Sequence, residues 1–164
     1  KFTAIAMPYS YASGHTCAVA ADSLAWCWGA NTLGQLGDGS TTSSTARSLV
    51  PVPVAGGHKF VAIGAGLGFT CGIRADGAVL CWGYLGGPTA AVVPTAMPLL
   101  PRARALTVER DLRCVVTENA AVSCWRDFRS APTTVGGLAG VSSVAVMDST
   151  VCAVVSTGVR CSRE

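Results

Sequence analysis

The chain has 164 residues, half of them hydrophobic and only 13% charged, with a formal net charge of +3. Ordinary soluble domains carry about 25% charged residues, so either the fold hides an unusual share of this chain or much of its outside meets other protein. The mild positive balance argues against a nucleic-acid binder, no uninterrupted apolar run reaches the ~18 residues of a membrane-spanning helix, and the length makes one domain over 1–164 the default.

The first unit, about residues 1–54, opens with a strand-like Phe2-Thr3-Ala4-Ile5-Ala6. A Pro8-Tyr9-Ser10-Tyr11 region leads to Gly14, and then comes Thr16-Cys17-Ala18-Val19, a turn at Asp22, and Ala25-Trp26-Cys27-Trp28-Gly29. Two β-prone segments around a turn residue read as a hairpin. A long loop runs from Ala30 to Thr45 and ends in a Ser/Thr tract read as solvated. Pro51-Val52-Pro53-Val54 closes the unit as a strand, and proline in a strand belongs at a sheet edge.

The second unit, about 55–100, repeats the order. A Gly56-Gly57-His58-Lys59 link precedes Phe60-Val61-Ala62-Ile63-Gly64, and Thr70-Cys71-Gly72-Ile73 turns at Asp76-Gly77 into Val79-Leu80-Cys81-Trp82-Gly83. A shorter loop, Gly83 to Pro88, is followed by an expected edge strand at Pro98-Leu99-Leu100. The third unit, about 101–135, has Ala103–Thr107, then Arg113-Cys114-Val115-Val116, a turn at Asn119, Val122-Ser123-Cys124-Trp125, and Pro132–Val135. The fourth, about 136–164, has Val141–Ala145, Val151-Cys152-Ala153-Val154 and Val159-Arg160-Cys161. It ends at Glu164 without a proline-bearing edge strand.

All eight cysteines fall two to a hairpin, ten positions apart in three hairpins and nine in the fourth. A turn at the midpoint sets each pair face to face. Facing residues without mutual backbone hydrogen bonds have Cα atoms ~4.5 Å apart, within reach of a disulfide. Eight cysteines allow about 105 connectivities; the repeated spacing selects Cys17–Cys27, Cys71–Cys81, Cys114–Cys124 and Cys152–Cys161. Four matched pairs argue against free buried thiols. Zinc ligands usually come in pairs two to four residues apart, a spacing absent here. Each such bridge is worth roughly 2–3 kcal/mol, and bridges at this density point to an oxidising compartment, secreted or cell-surface. Lys1 is neither an initiator methionine nor the start of a signal-peptide pattern, so the chain reads as a processed product or a segment of something longer.

Trp28, Trp82 and Trp125 each directly follow a cysteine, so each points to the opposite side of its strand. Sheets apolar on both faces need cover on both, and stacking sheet on sheet supplies it. Four-stranded units recurring every 38 to 54 residues are the mark of an all-β, propeller-like repeat protein. The tryptophans then read as core packing in preference to ligand stacking.

At Gly14-His15-Thr16-Cys17-Ala18-Val19, Cys27-Trp28-Gly29-Ala30-Asn31 and Gly34-Gln35-Leu36-Gly37-Asp38-Gly39 the chain resembles the regulator-of-chromosome-condensation repeat family. It looks like the bacterial extracellular branch, where paired cysteines are common. Gly68-Phe69-Thr70-Cys71 with Cys81-Trp82-Gly83 is a fair second match; the third and fourth units keep the spacing and lose most of the motif. The resemblance implies a β-propeller, usually seven-bladed, that works by binding protein through its faces and loops. The family's founding member is a nuclear exchange factor for a small GTPase. None of its functional residues can be placed here, and a disulfide-rich chain does not fit a nucleus. Four units fall short of the usual ring, so the chain either closes a small propeller or is an arc with exposed ends.

For chemistry the inventory is thin. His15 reads as structural within its motif and His58 as part of an exposed turn. No paired carboxylates, Ser/His/Asp order, phosphate loop or metal cluster stands out, so neither an enzyme nor a cofactor is expected. Arg102, Arg104, Arg110, Arg113, Arg126 and Arg129, interleaved with Glu109, Asp111, Glu118 and Asp127, read as a salt-bridged rim or as an interface toward an acidic partner. No row of exposed aromatics accompanies them, which disfavours nucleic acid. The expected function is a secreted, non-enzymatic structural protein that self-assembles through blade edges and its charge-poor surface. The alternative is a monomer that binds a protein or a glycan through the Ala30–Thr45 loop, Tyr9, Tyr11 and Tyr84.

Overall fold

A computed structural model describes residues 1–8, 14–40, 43–97, 99–126, 128 and 131–163. The chain forms four antiparallel sheets in sequence order, each a simple meander. Blade 1 holds β1 (Phe2–Ala6), β2 (His15–Ala20), β3 (Ala25–Ala30) and β4 (Arg47–Pro53). Blade 2 holds β5 (Phe60–Gly66), β6 (Phe69–Arg74), β7 (Val79–Gly83) and β8 (Ala91–Ala96). Blade 3 holds β9 (Ala103–Glu109), β10 (Leu112–Thr117), β11 (Val122–Trp125) and β12 (Thr133–Thr134). Blade 4 has three strands among the described residues: β13 (Ser143–Met147), β14 (Thr150–Val155) and β15 (Gly158–Arg163). The first strands, β1, β5, β9 and β13, pack side by side in that order and set the inner side of the stack.

The register puts cysteine opposite cysteine in every hairpin: Cys17 faces Cys27, Cys71 faces Cys81, Cys114 faces Cys124 and Cys152 faces Cys161. All four pairs are bonded, with Cα atoms 4.0 to 4.1 Å apart. The spacing of ten against nine has a local cause. In blade 1 Ser23 N–H donates to Ala20 O (2.8 Å), Ala20 N–H donates to Leu24 O, and Asp22 Oδ1 accepts from Leu24 N–H. Three residues therefore make the turn, and the third, Ser23, is left-handed with φ 67°. Blade 2 repeats this around Asp76; blade 3 repeats the backbone bonds around Asn119, but there Ala121 N–H donates to Thr117 Oγ1 and Asn119 Oδ1 accepts from the Thr117 hydroxyl. In blade 4 Val155 pairs directly with Gly158, leaving two residues in the turn and one fewer between the sulfurs.

The Cys-Trp-Gly motif also has a backbone reason. Gly29 (φ +98°) and Gly83 (φ +94°) bring strand ends so close to their neighbours that a Cβ would lie 2.6 Å from Gly14 O and 2.4 Å from Gly68 O. The same hydrogen bond follows in both blades, Ala30 N–H to Gly14 O and Tyr84 N–H to Gly68 O. Only glycine allows that approach.

One expected edge strand moves. The fourth strand of blade 2 is Ala91–Ala96, which carries Pro94, and not 98–100. Leu99 and Leu100 lie in a turn closed by Leu100 N–H on Met97 O, and Pro98 is outside the described residues. Pairing of Cys81 with Thr95 and Gly83 with Ala91 needs the earlier, β-branched segment.

Candidate interaction surfaces

Alternation along the strands gives every blade two unlike faces. One presents the disulfide, the other the residue that follows the second cysteine. Between blades 1 and 2 the Cys17–Cys27 bridge, Val19, Ala25 and Leu36 meet Phe60, Leu80 and Trp82. Between blades 2 and 3 the Cys71–Cys81 bridge, Ile73 and Val79 meet Val115, Trp125, Leu106 and Val108. Between blades 3 and 4 the Cys114–Cys124 bridge, Leu112, Val116 and Val122 meet Val151, Ala153, Val155 and partly buried Val144 and Val146. The polarity is the same each time: the disulfide face of one blade takes the opposite face of the next. The six sulfurs in these three interfaces are fully buried.

The first half of the Ala30–Thr45 loop belongs to the first of these interfaces. Gln35 and Leu36 are buried, and Gln35 O accepts from Trp82 Nε1–H (2.9 Å) and from the Thr70 hydroxyl (3.0 Å). The Thr70 proton is thereby committed, so His15 Nε2–H is the donor in the 2.7 Å bond to Thr70 Oγ1. His15 is structural and buried. Asn31 ties the loop to itself through Ser40 Oγ and Leu36 N–H. This segment clamps blade 1 to blade 2. Ser40, Ser43, Ser44 and Thr45 are exposed, as a solvated tract requires, and Thr41 and Thr42 lie outside the described residues.

The terminal faces differ from the internal ones. Facing residues of an antiparallel pair project to one side. In blade 1 Phe2 pairs with Ala20, Ile5 with Ala18, Ala18 with Trp26 and Thr16 with Trp28. These form its tryptophan face, which no blade covers among the described residues: Phe2 is 48% and Ile5 64% exposed, and Trp26 and Trp28 are half-buried. Phe2 and Trp28 lie with ring centroids 6.3 Å apart. In blade 4 Ala145 pairs with Cys152, Met147 with Thr150, Val154 with Val159 and Cys152 with Cys161. That is a disulfide face, also uncovered: Met147, Val154 and Val159 are 71%, 44% and 69% exposed, and Cys161 is exposed too. Among the paired outer-face positions blade 1 shows one charged residue, Arg47 opposite Ala30, and blade 4 shows one, Arg163.

The arginines do not form one patch. Arg102 and Arg104, at the start of β9, donate to the carbonyls of Asp76 and Val141. Arg110, Arg113 and Arg126 lie at the other end of blade 3. Arg126 pairs with Asp111 at 2.9 Å and donates to Ser149 Oγ and Asp148 O. Arg113 is buried, its guanidinium 3.7 Å from the Phe69 ring centroid and 3.9 Å from that of Phe128, and it donates to Arg126 O. These contacts fix the sheet, and leave Arg126 and Arg110 at the surface. Tyr84, 49% exposed, lines a cleft with Thr32, Leu33, Pro88, Thr89 and Val92. It is not brought near the arginines by any strand pairing. Tyr9, Tyr11, Asp127 and Arg129 lie outside the described residues. Among the described residues no group of three His, Cys, Asp or Glu is arranged to hold a metal ion, and no helix is long and apolar enough to cross a membrane.

Stacked four-stranded meanders with this polarity define a propeller-like arc. Residues 22–73 match the Regulator of chromosome condensation (RCC1) repeat family. The match begins in the β2–β3 turn and ends in β6, so the sequence repeat straddles two blades. Prp20p from Saccharomyces cerevisiae, described with its binding properties to Gsp1p and histones, superposes with a TM-score of 0.74 at 20% identity over 96% of this chain and 43% of its own. Human WBSCR16 gives 0.76 at 17% identity, covering 96% of this chain and 46% of that one. The CRINKLY WD40 ectodomain of the Arabidopsis thaliana receptor kinase ACR4 gives 0.67 at 19% identity, covering 99% and 54%. The chain thus spans about half the length of these proteins, and at such identities the likeness is one of fold. No curated protein sequence matches the chain significantly.

Proposed function

We propose that this protein is a non-enzymatic interaction module of the extracellular or cell-surface space that assembles with itself through its two terminal blade faces. The observation that carries the reading is the contrast between covered and uncovered faces. Three disulfide faces inside the chain are buried by a neighbouring blade, and the fourth has Val159 69% and Met147 71% exposed. Apolar surface of that kind, with Arg163 its one charged paired residue, marks an association site. The propeller fold supports a protein-binding role, since Prp20p is described with its binding to Gsp1p and histones and the same protein has been seen bound to Kap60. The four disulfides support an oxidising setting. The bacterial extracellular branch of the family is the source this reading favours.

Mass photometry and light scattering on the oxidised protein across a concentration series test it. The expected result is a population of dimers or larger species that grows with concentration. A strictly monomeric particle at the highest concentration overturns it. A second reading rests on the Tyr84 cleft between the blade 1 loop and the blade 2 loop: a monomer that binds a protein or glycan there, with Tyr9, Tyr11 and the arginine edge, Arg102, Arg104, Arg126 and Arg129, contributing. Clear hits on a glycan array from a monomeric protein, abolished by Tyr84→Ala, would favour it.

A further inference from the structure

We infer that the self-contact is head to tail: the disulfide face of blade 4 in one copy receives the tryptophan face of blade 1 in the next. The inference rests on the self-assembly reading and adds its polarity. Three times inside the chain a cystine face takes the opposite face of the following blade, and in the first two of these contacts that face carries a tryptophan, Trp82 and then Trp125. The two faces left over are one of each kind. Blade 4 offers Cys152, Cys161, Val154 and Val159; blade 1 offers Phe2, Ile5, Trp26 and Trp28. Joining them continues an interface the chain already builds.

The two like-with-like contacts fit worse. Disulfide face on disulfide face sets short side chains against short side chains and leaves gaps where Trp82 and Trp125 sit in the first two internal interfaces. Tryptophan face on tryptophan face sets bulk against bulk. Interiors pack at near-crystalline density, so a contact with voids or collisions loses to one that interdigitates. The unlike contact is heterologous and therefore yields a closed ring, of two copies where the rotation per copy is a half turn, or an open filament. It also covers the one cystine that a single copy leaves partly in solvent.

Two end-blocked variants decide the polarity. Ile5→Glu alters the blade 1 face and Val159→Glu the blade 4 face, at positions 64% and 69% exposed, where a carboxylate disturbs no core. Met147→Glu, 71% exposed, blocks the blade 4 face a second way should Val159→Glu misfold. Each variant alone is expected to be monomeric under conditions where wild type assembles. Their equimolar mixture is expected to form a 1:1 pair and no larger species, because Val159→Glu retains a good blade 1 face and Ile5→Glu a good blade 4 face. Reduction of Cys152–Cys161, followed by alkylation and mass mapping, should be slower in that mixture than in either variant alone. The polarity is overturned if one variant alone still dimerises, which is a like-with-like contact, or if the mixture stays monomeric while wild type assembles. A wild type that never assembles defeats the underlying reading itself.

Discussion

Each three-residue hairpin turn forces its last residue into the left-handed region, whatever that residue is. Blade 2 places Gly77 there (φ 82°), but blade 1 uses Ser23 (φ 67°) and blade 3 uses Ala120 (φ 61°). A non-glycine residue in that region costs about 1–2 kcal/mol, and glycine returns about 0.5–1 kcal/mol of that through its larger loss of chain entropy. Ala120→Gly is therefore expected to raise the stability of the oxidised protein by about 0.5–1 kcal/mol, read as a shift of the urea midpoint. The reverse change, Gly77→Ala, should cost more than Ala120→Gly gains. Its Cβ would also come within 3.1 Å of Arg102 Cβ and Glu118 Oε1. A lowered midpoint for Ala120→Gly would mean that its turn is not the one described. The turn positions themselves are readable from Asp22, Asp76-Gly77 and Asn119, because short polar residues mark a turn locally: Asp22 and Asp76 cap the backbone two residues on, and Asn119 accepts from the Thr117 hydroxyl. What spacing alone did not reveal was that ten and nine stand for turns of three and two residues.

At the scale of strands and loops, the sequence was informative where structure is set locally and silent where it is set by a partner. The cysteine hairpins are local, and all four pair as their spacing requires. The edge strand of blade 2 was misplaced because several prolines punctuate that stretch, and only the pairing of Cys81 with Thr95 selects the one at Pro94. The burial of Gln35 and Leu36 was illegible for a similar reason. Nothing in a glycine-rich loop announces that Trp82 of the next blade will donate to it. The arginines read as one cluster because they are close in sequence, yet β9 separates Arg102 and Arg104 from Arg126 by its own length. The disulfides give a prediction at this scale. Three are fully buried and Cys152–Cys161 is not, and exchange requires a thiolate to reach a sulfur. Graded reduction of the dilute protein should open Cys152–Cys161 first, with Cys71–Cys81 among the last. Non-reducing peptide mapping reads the order, and simultaneous loss of all four would mean that blades 3 and 4 open together with the rest.

Taken whole, the molecule is an arc whose end faces show one charged paired residue each, Arg47 and Arg163, while Arg102, Arg104, Arg113 and Arg126 lie along the blade margins, held by carbonyls and by Asp111. That distribution makes salt a discriminating variable. Burying apolar faces involves no counter-ions and is strengthened by excluded salts such as sulfate. A contact made by an arginine margin with an acidic surface would weaken as the screening length falls, from about 10 Å at 0.1 M to about 3 Å at 1 M. If the terminal faces carry the assembly, raising NaCl from about 0.05 to about 0.5 M should change the association constant by less than about twofold. Ammonium sulfate should tighten it, and cooling from about 25 °C toward about 5 °C should loosen it, because apolar burial fades on cooling. Mass photometry at fixed protein concentration reads all three. A steep loss of assembly with NaCl would move the contact from the blade ends to the arginine margins, and Arg126→Ala would then abolish what Val159→Glu leaves intact.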